Sequence, residues 1–194
     1  MAKRIIRNGR LPPDVVQALN KTKMETSQTE AASSISTRGP MWAWLVGTFF
    51  GIGTLRPGPG TWGSTATVLA WSLLAHYLPA PFRLPSIVIL AIAAVAIGIP
   101  AATQVARASG RKDPQHVVID EVAGQLITLI GSPLHWKPLL CGLILFRVFD
   151  MWKPAPVRNL EALPEGTGIV LDDVAAGVYG LIVMQLLLRF GILG

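Results

Sequence analysis

Hydrophobic positions along the chain fall into long blocks rather than into alternation. Blocks at 65–79, 86–106, 119–132, 138–151 and 173–190 are predominantly apolar, with charge gathered at their ends. Blocks of this length predict helices, and helices that are apolar nearly all round predict a lipid environment or a deep core. Ser86 to Ala106 is the clearest crossing, because it has no charged residue over about 20 positions, the length a bilayer requires. The third and fourth blocks are short for a full crossing. Pro79, Pro81 and Pro85 mark a turn between the first two blocks, Pro133 to Pro138 a second turn, and Asn159 to Gly168 a loop. Ahead of the first block, Trp42 to Ile52 is apolar and aromatic but too short to span. The pattern predicts an all-α fold: a polytopic membrane helical bundle of about five apolar helices, with a short re-entrant or interfacial segment before the first.

Residues 1–40 differ in character. They are polar, with Lys3, Arg4, Arg7 and Arg10 first and a Thr/Ser/Ala-rich run from Thr26 to Thr37. Asp14 to Leu19 can begin a short amphipathic helix, and the remainder reads as a flexible linker. No apolar core of a secretion signal follows the early basic residues. The division expected is therefore a disordered extension over 1–40 and a membrane-embedded domain over 41–194.

Composition strengthens the membrane reading: 51% of the 194 residues are hydrophobic and only 14% charged, with a mean hydropathy of +0.49. The formal charge of +6 favours anionic lipid headgroups over nucleic acid, since the basic residues do not interleave with aromatics on any reading module. Basic loops that only set topology account for it equally well. Cys141 is the single cysteine, so no intrachain disulfide holds the fold, and His76, His116 and His135 lack zinc-ligand spacing.

The positive-inside rule orients the blocks. With the N-terminus inside, 14 of the 17 basic residues fall on the cytoplasmic side, and only Arg83, Lys137 and Arg189 fall outside. The acidic residues after Glu30 (Asp113, Asp120, Glu121, Asp150, Glu161, Glu165, Asp172 and Asp173) land on that same side. Acidic residues obey no strong topological rule, so their one-sidedness calls for another cause.

Candidate chemistry gathers there. Arg147, Asp150 and Lys153 stand three apart at the end of the fourth block, a cation, anion, cation row on one helix face, with Pro154 and Pro156 stopping the helix beyond it. Such a row suits a phosphorylated ligand with a metal, and it suits a structural ion pair. Asp120 and Glu121 open one predicted helix, and Asp172 and Asp173 open the last. Capping accounts for one carboxylate per helix but not for doubled pairs. Carboxylates facing one another need a cation between them, and an oxygen-only ligand set favours a hard divalent ion, Mg²⁺ first. Arg147 and Lys153 can then hold phosphate oxygens. The glycine-rich stretch Pro57 to Ser64 adds Gly60, Thr61 and Ser64 as phosphate contacts, with Thr61 or Ser64 capping a helix that begins near Thr65.

Four motifs now stand in order: Pro59-Gly-Thr-Trp-Gly-Ser64, Asp120-Glu-Val-Ala-Gly124, Phe146-Arg-Val-Phe-Asp-Met-Trp-Lys-Pro-Ala-Pro-Val157 and Asp172-Asp-Val-Ala-Ala-Gly177. Together, from about Trp42 to the C-terminus, they resemble the phosphatidylglycerophosphatase A family. The resemblance implies a Mg²⁺-dependent phosphatase of the bacterial cytoplasmic (inner) membrane, multi-pass with its active site facing the cytoplasm, that converts phosphatidylglycerophosphate to phosphatidylglycerol and phosphate. Carried over, Asp120, Glu121, Asp150, Asp172 and Asp173 would be the metal and water-activating set, with Arg147 and Lys153 on the phosphate. Three other readings stay open. A nucleotide-activated lipid phosphotransferase would need an Asp-Gly…Ala-Arg pattern that the chain lacks. A small ion or solute transporter would place ionisable residues near the centres of the blocks, which are clean. A soluble helical domain would bury the blocks as its core.

Overall fold

Prolines punctuate the helix starts. Pro40, Pro79 and Pro164 stand immediately before helices, and Pro59 occupies a first helical position, where a missing N–H goes unnoticed and the fixed φ is already helical. The computed structural model describes residues 13–36, 39–155 and 157–193. Within them the elements are helices α1 Pro13–Ser36, α2 Met41–Gly47, α3 Pro59–Tyr77, α4 Ala80–Ser109, α5 Ile119–Thr128, α6 Trp136–Trp152, α7 Val157–Leu160 and α8 Glu165–Arg189, with a 3₁₀ turn at Ile52–Thr54. No strand occurs among the described residues.

The chain divides at Gly39 into two units, each described by itself. In the first, the short helix expected from Asp14 to Leu19 belongs to a longer one, and α1 runs on through the stretch read as a linker up to Ser36. Its Val16 and Leu19 are exposed.

In the second unit α5 is central, lying against α8, α4, α3 and α6. Ile119, Val122, Leu126 and Leu129 join Val105, Ala101, Ile87, Trp71 and Val170 in the main apolar cluster. Three boundaries differ from those expected. Pro81 and Pro85 lie inside α4, so the turn is confined to Leu78 and Pro79; Pro81 falls in the first turn, where a helix tolerates it, while Pro85 is an interior proline that gives up one helix hydrogen bond. The predicted loop 159–168 overlaps the end of α7 and the start of α8. The segment read as interfacial is α2 followed by a left-handed turn, with Phe49 at φ 46°, Phe50 at φ 57° and Gly51 at φ 90°. Buried Thr48 holds that turn, its Oγ1 donating to Trp44 O at 2.8 Å and accepting the Gly51 N–H at 2.9 Å.

Among the described residues two helices are long and apolar enough to cross a membrane, α4 with 30 residues and α8 with 25. The number falls short of the five expected. α5 has 10 residues and α6 has 17, below the roughly 20 that a crossing takes. On α4 only 28% of the apolar window is buried, and Ile89 and Ile92 are each more than 60% exposed. A helix in a soluble core would hide these side chains.

Candidate active site

The site begins where α5 begins. Val118 precedes the helix and cannot cap it with its side chain, and Asp120 and Glu121 occupy the first turn, where the helix dipole favours anions. One turn further, Gly124 meets α8: a Cβ there would strike the Phe146 ring and Asp173 O, and a Cβ on Gly177 would strike Gly124 O. The two helices therefore touch backbone to backbone. Thr128 seals the crossing, its Oγ1 donating to Gly124 O at 3.0 Å with Gly177 O at 3.2 Å.

That crossing delivers Asp173 to Asp120 and Glu121. One carboxylate oxygen from each can be chosen so that all three lie within 4.8 Å of one another. Asp120 Oδ1, Glu121 Oε2 and Asp173 Oδ2 are buried with no hydrogen-bond partner. Three carboxylates so placed repel unless protons or a cation intervene. Their donor set is oxygen alone, which fits a hard divalent ion. Asp150 and Asp172 lie outside this group of three, although the Asp150 carboxyl adjoins that of Asp173.

The cation, anion, cation row expected on α6 splits. Arg147 Nη1 pairs with Asp150 Oδ2 at 2.7 Å and stands 3.7 Å from Glu121 Oε1. Its Nε and Nη1 nonetheless lack an aligned hydrogen bond in a buried setting. Lys153 is the residue that ends α6, in a left-handed conformation with φ 46°. That turn carries its ammonium away from Arg147 to Asp172 Oδ2 at 2.8 Å and to Glu161 Oε2 at 3.6 Å. Burial works against the Lys153 charge, but the hydrogen bond and charge of Asp172 outweigh it and hold the pKa above the ordinary lysine value.

Two expectations about backbone position change. Asp172 and Asp173 sit well inside α8, which begins at Glu165, so they do not open the helix, because the run Gly166 to Leu171 is itself helical. The glycine-rich stretch is likewise the first turn of α3, entered through Gly58 in a left-handed conformation, with no side-chain cap. Ser64 is buried and donates to Gly60 O at 2.9 Å, so it caps nothing, and Thr61 is exposed. Gly60 does enter the site: a Cβ there would overlap Glu121 Oε1 and come to 2.9 Å from Arg147 Nη1.

Several residues at the site carried no signal in the motifs. Gln125 is wholly buried with both amide atoms unpartnered, and its place four residues after Glu121, on the same helix face, was the available cue. Glu161 was counted among the one-sided acids but not tied to Lys153. Tyr179 stacks on Phe149 with centroids 5.5 Å apart and donates to Ala155 O at 3.0 Å, which pins the end of α6 to α8.

An all-helical unit with a buried carboxylate cluster, an embedded arginine and two long apolar helices defines a class of protein built to handle a phosphorylated group near a membrane. Comparison with known proteins narrows the class. Residues 45–188 match the family Phosphatidylglycerophosphatase A. The Phosphatidylglycerophosphatase A of Escherichia coli K12 is 35% identical over 76% of this chain and 83% of its own length. That of Haemophilus influenzae is 34% identical over 81% of this chain and 94% of its own. A Bacteroides thetaiotaomicron protein, provisionally named a phosphatidylinositol-3-phosphatase, is 36% identical over 72% of this chain and 89% of its own. No solved structure matches. The chain belongs to the phosphatidylglycerophosphatase A family, and it is a lipid phosphatase, as the four motifs had led us to expect.

Proposed function

We propose that the chain hydrolyses phosphatidylglycerophosphate to phosphatidylglycerol and phosphate with a divalent cation, Mg²⁺ first, held by Asp120, Glu121 and Asp173. The observation that carries this is the trio of buried carboxylate oxygens without partners, drawn from two helices to one point. When bound, such a cation supplies Lewis acidity to a phosphoryl oxygen and acidifies a water. Asp150 and Asp172 complete the acidic wall and orient the two cations beside it. Arg147, held by Asp150 through Nη1, has N–H groups left over to bind a phosphate oxygen, its buried Nε among them. Lys153 adds a second positive charge where Asp172 holds it. Gly60 keeps the backbone of α3 out of the way, and exposed Thr61 beside it is a further phosphate contact, whereas the Ser64 hydroxyl is already committed to Gly60 O.

The overall change joins a water oxygen to phosphorus, breaks the bond to the glycerol oxygen and returns a proton to that oxygen. The clustered carboxyl groups are in place to take the proton from water and to give it back. Ser64 is engaged within α3 and Cys141 lies in the interior of α6, so neither is set beside a base as a covalent nucleophile.

In this reading the unit from Gly39 onward lies in the cytoplasmic membrane of a bacterium, multi-pass, with its acidic site toward the cytoplasm. The length and exposed apolar faces of α4 and α8 support it. The unit that ends at Arg38 has no assigned part in the chemistry.

The test is phosphate release from a panel of lipid phosphates in detergent, with and without Mg²⁺. The panel includes a phosphatidylinositol 3-phosphate, because one relative bears that name. Mg²⁺-dependent release from phosphatidylglycerophosphate is expected, lost in Asp120→Asn. Release that ignores chelation, or that persists in Asp120→Asn, would overturn the assignment.

A further inference from the structure

A cavity of about 420 Å³ opens between α2, α3, α4 and α5, within the range of small-ligand sites. Its walls are apolar apart from Thr67, whose hydroxyl already donates to Gly63 O at 2.8 Å. The cavity thus offers shape and hydrocarbon and very little polar surface.

Its walls run from Thr67 to Leu74 on α3, from Leu90 to Ile97 on α4 and from Ile119 to Leu126 on α5. Each spans eight residues of helix, about 10 Å from first to last. Gly98 packs on Ile119, with a Cβ there 3.1 Å from Ile119 Cγ1, so α4 runs opposite to α5 and its Ile97 end lies at the Ile119 end. The carboxylate cluster is at that end too, since Asp120 and Glu121 directly follow Ile119. One turn of α5 therefore serves both places, turning its acids to the cluster and Ile119 and Val122 to the cavity. Along α3 the distance from Gly60, at the cluster, is about 10 Å to Thr67 and about 21 Å to Leu74. A single leaflet of hydrocarbon is about 15 Å deep, so an acyl chain of a lipid whose headgroup lies at the cluster is long enough to enter the cavity from its Thr67 end.

We infer that this cavity holds an acyl chain of the lipid whose phosphorylated headgroup occupies the carboxylate site. Since it rests on the substrate class proposed above, it deepens that reading and makes the enzyme selective for chain length, not only for headgroup. A phosphate monoester without long chains would reach the cluster but leave the cavity unfilled.

Two measurements test it on the full chain in detergent. In the first, Ala70→Trp on α3 and Ala93→Trp on α4 fill the cavity from opposite walls. Either should lower kcat/KM at least about tenfold for a substrate with long chains while leaving a short-chain analogue of the same headgroup within about twofold. Equal effects on both substrates, or none on either, would overturn the assignment of the cavity. In the second, a lipid phosphate carrying a photoreactive group along one chain is cross-linked and the adducts are mapped. Adducts concentrated at Ala70, Leu74, Leu90 and Ala93 support the site. Adducts spread equally to Ile89 and Ile92, outside the cavity, refute it. Cross-linking needs no turnover, so a failure of the headgroup assignment shows separately, as correct adducts without hydrolysis.

Discussion

Gly60 leaves open the space that Glu121 fills: a Cβ on Gly60 would fall on Glu121 Oε1 and crowd Arg147 Nη1 at 2.9 Å. Both atoms are the ends of flexible side chains, so in Gly60→Ala the fold yields and the site moves. Phosphate release is expected to fall by about 100-fold, as displacements near 1 Å can produce, while the melting temperature changes by only a few degrees. Full activity in this variant would show that Glu121 need not stand where it does.

Gly177 makes the opposite prediction. Its missing Cβ would meet the Gly124 backbone, which cannot rotate away. Gly177→Ala is expected to destabilise the protein by about 1–3 kcal/mol or more and to lose activity in parallel, because α5 and α8 carry different members of the carboxylate cluster. Thermal unfolding alongside phosphate release separates the two glycines: one variant loses function first, the other loses both.

The carboxylate cluster opposes folding when nothing neutralises it. Asp173→Asn removes one charge from the group of three and is expected to raise the melting temperature in chelator while abolishing hydrolysis. In the unsubstituted protein, Mg²⁺ at about 100 times its dissociation constant should stabilise by about 2.7 kcal/mol, and in Asp173→Asn that increment should largely vanish. An unaltered Mg²⁺ shift in the variant would place the ion elsewhere.

Lys153 and Asp172 form a coupled pair at 2.8 Å, with the aspartate almost fully buried. A double-mutant cycle with Lys153→Met and Asp172→Asn should return a coupling of about 1–3 kcal/mol. Removing the lysine alone is expected to harm stability more than removing both, because it leaves a buried carboxylate uncompensated. The Lys153 pKa is raised in the folded state. Its contribution is therefore fully present below the ordinary lysine value of about 10.4 and is lost only as pH rises through the higher folded value. The coupling should stay constant between pH 7 and 9, and a decline in that window would contradict the raised pKa.

Helices and the gathering of acids were legible in the sequence because both follow from periodicity and from counting charges. Ser86 to Ala106 reads as helix from its unbroken apolar run, and Asp120, Glu121 and Asp173 read as partners because they recur at block ends. What the sequence hid lies in long-range packing. Nothing local says that Gly124 and Gly177 touch, yet that contact sets the depth at which Asp173 meets Glu121. The start of α8 was misplaced by eight residues' worth of Gly-rich sequence, Glu165 to Asp172, because glycine usually argues against helix; here Gly166 is required by close approach to Ile99 O. The row of Arg147, Asp150 and Lys153 was right about Arg147 and Asp150. Lys153 left it because the helix ends at Trp152, one residue too early for the three-residue spacing to hold.

Lys153 itself closes α6 in the left-handed region, a conformation that disfavours an ordinary side chain by about 1–2 kcal/mol and that glycine adopts freely. A chain shaped only by backbone ease would put glycine there. Lys153→Gly should relax the helix end and leave Asp172 without its cation. Backbone ease and charge placement therefore pull in opposite directions at the end of α6, and Lys153 serves the second against the first.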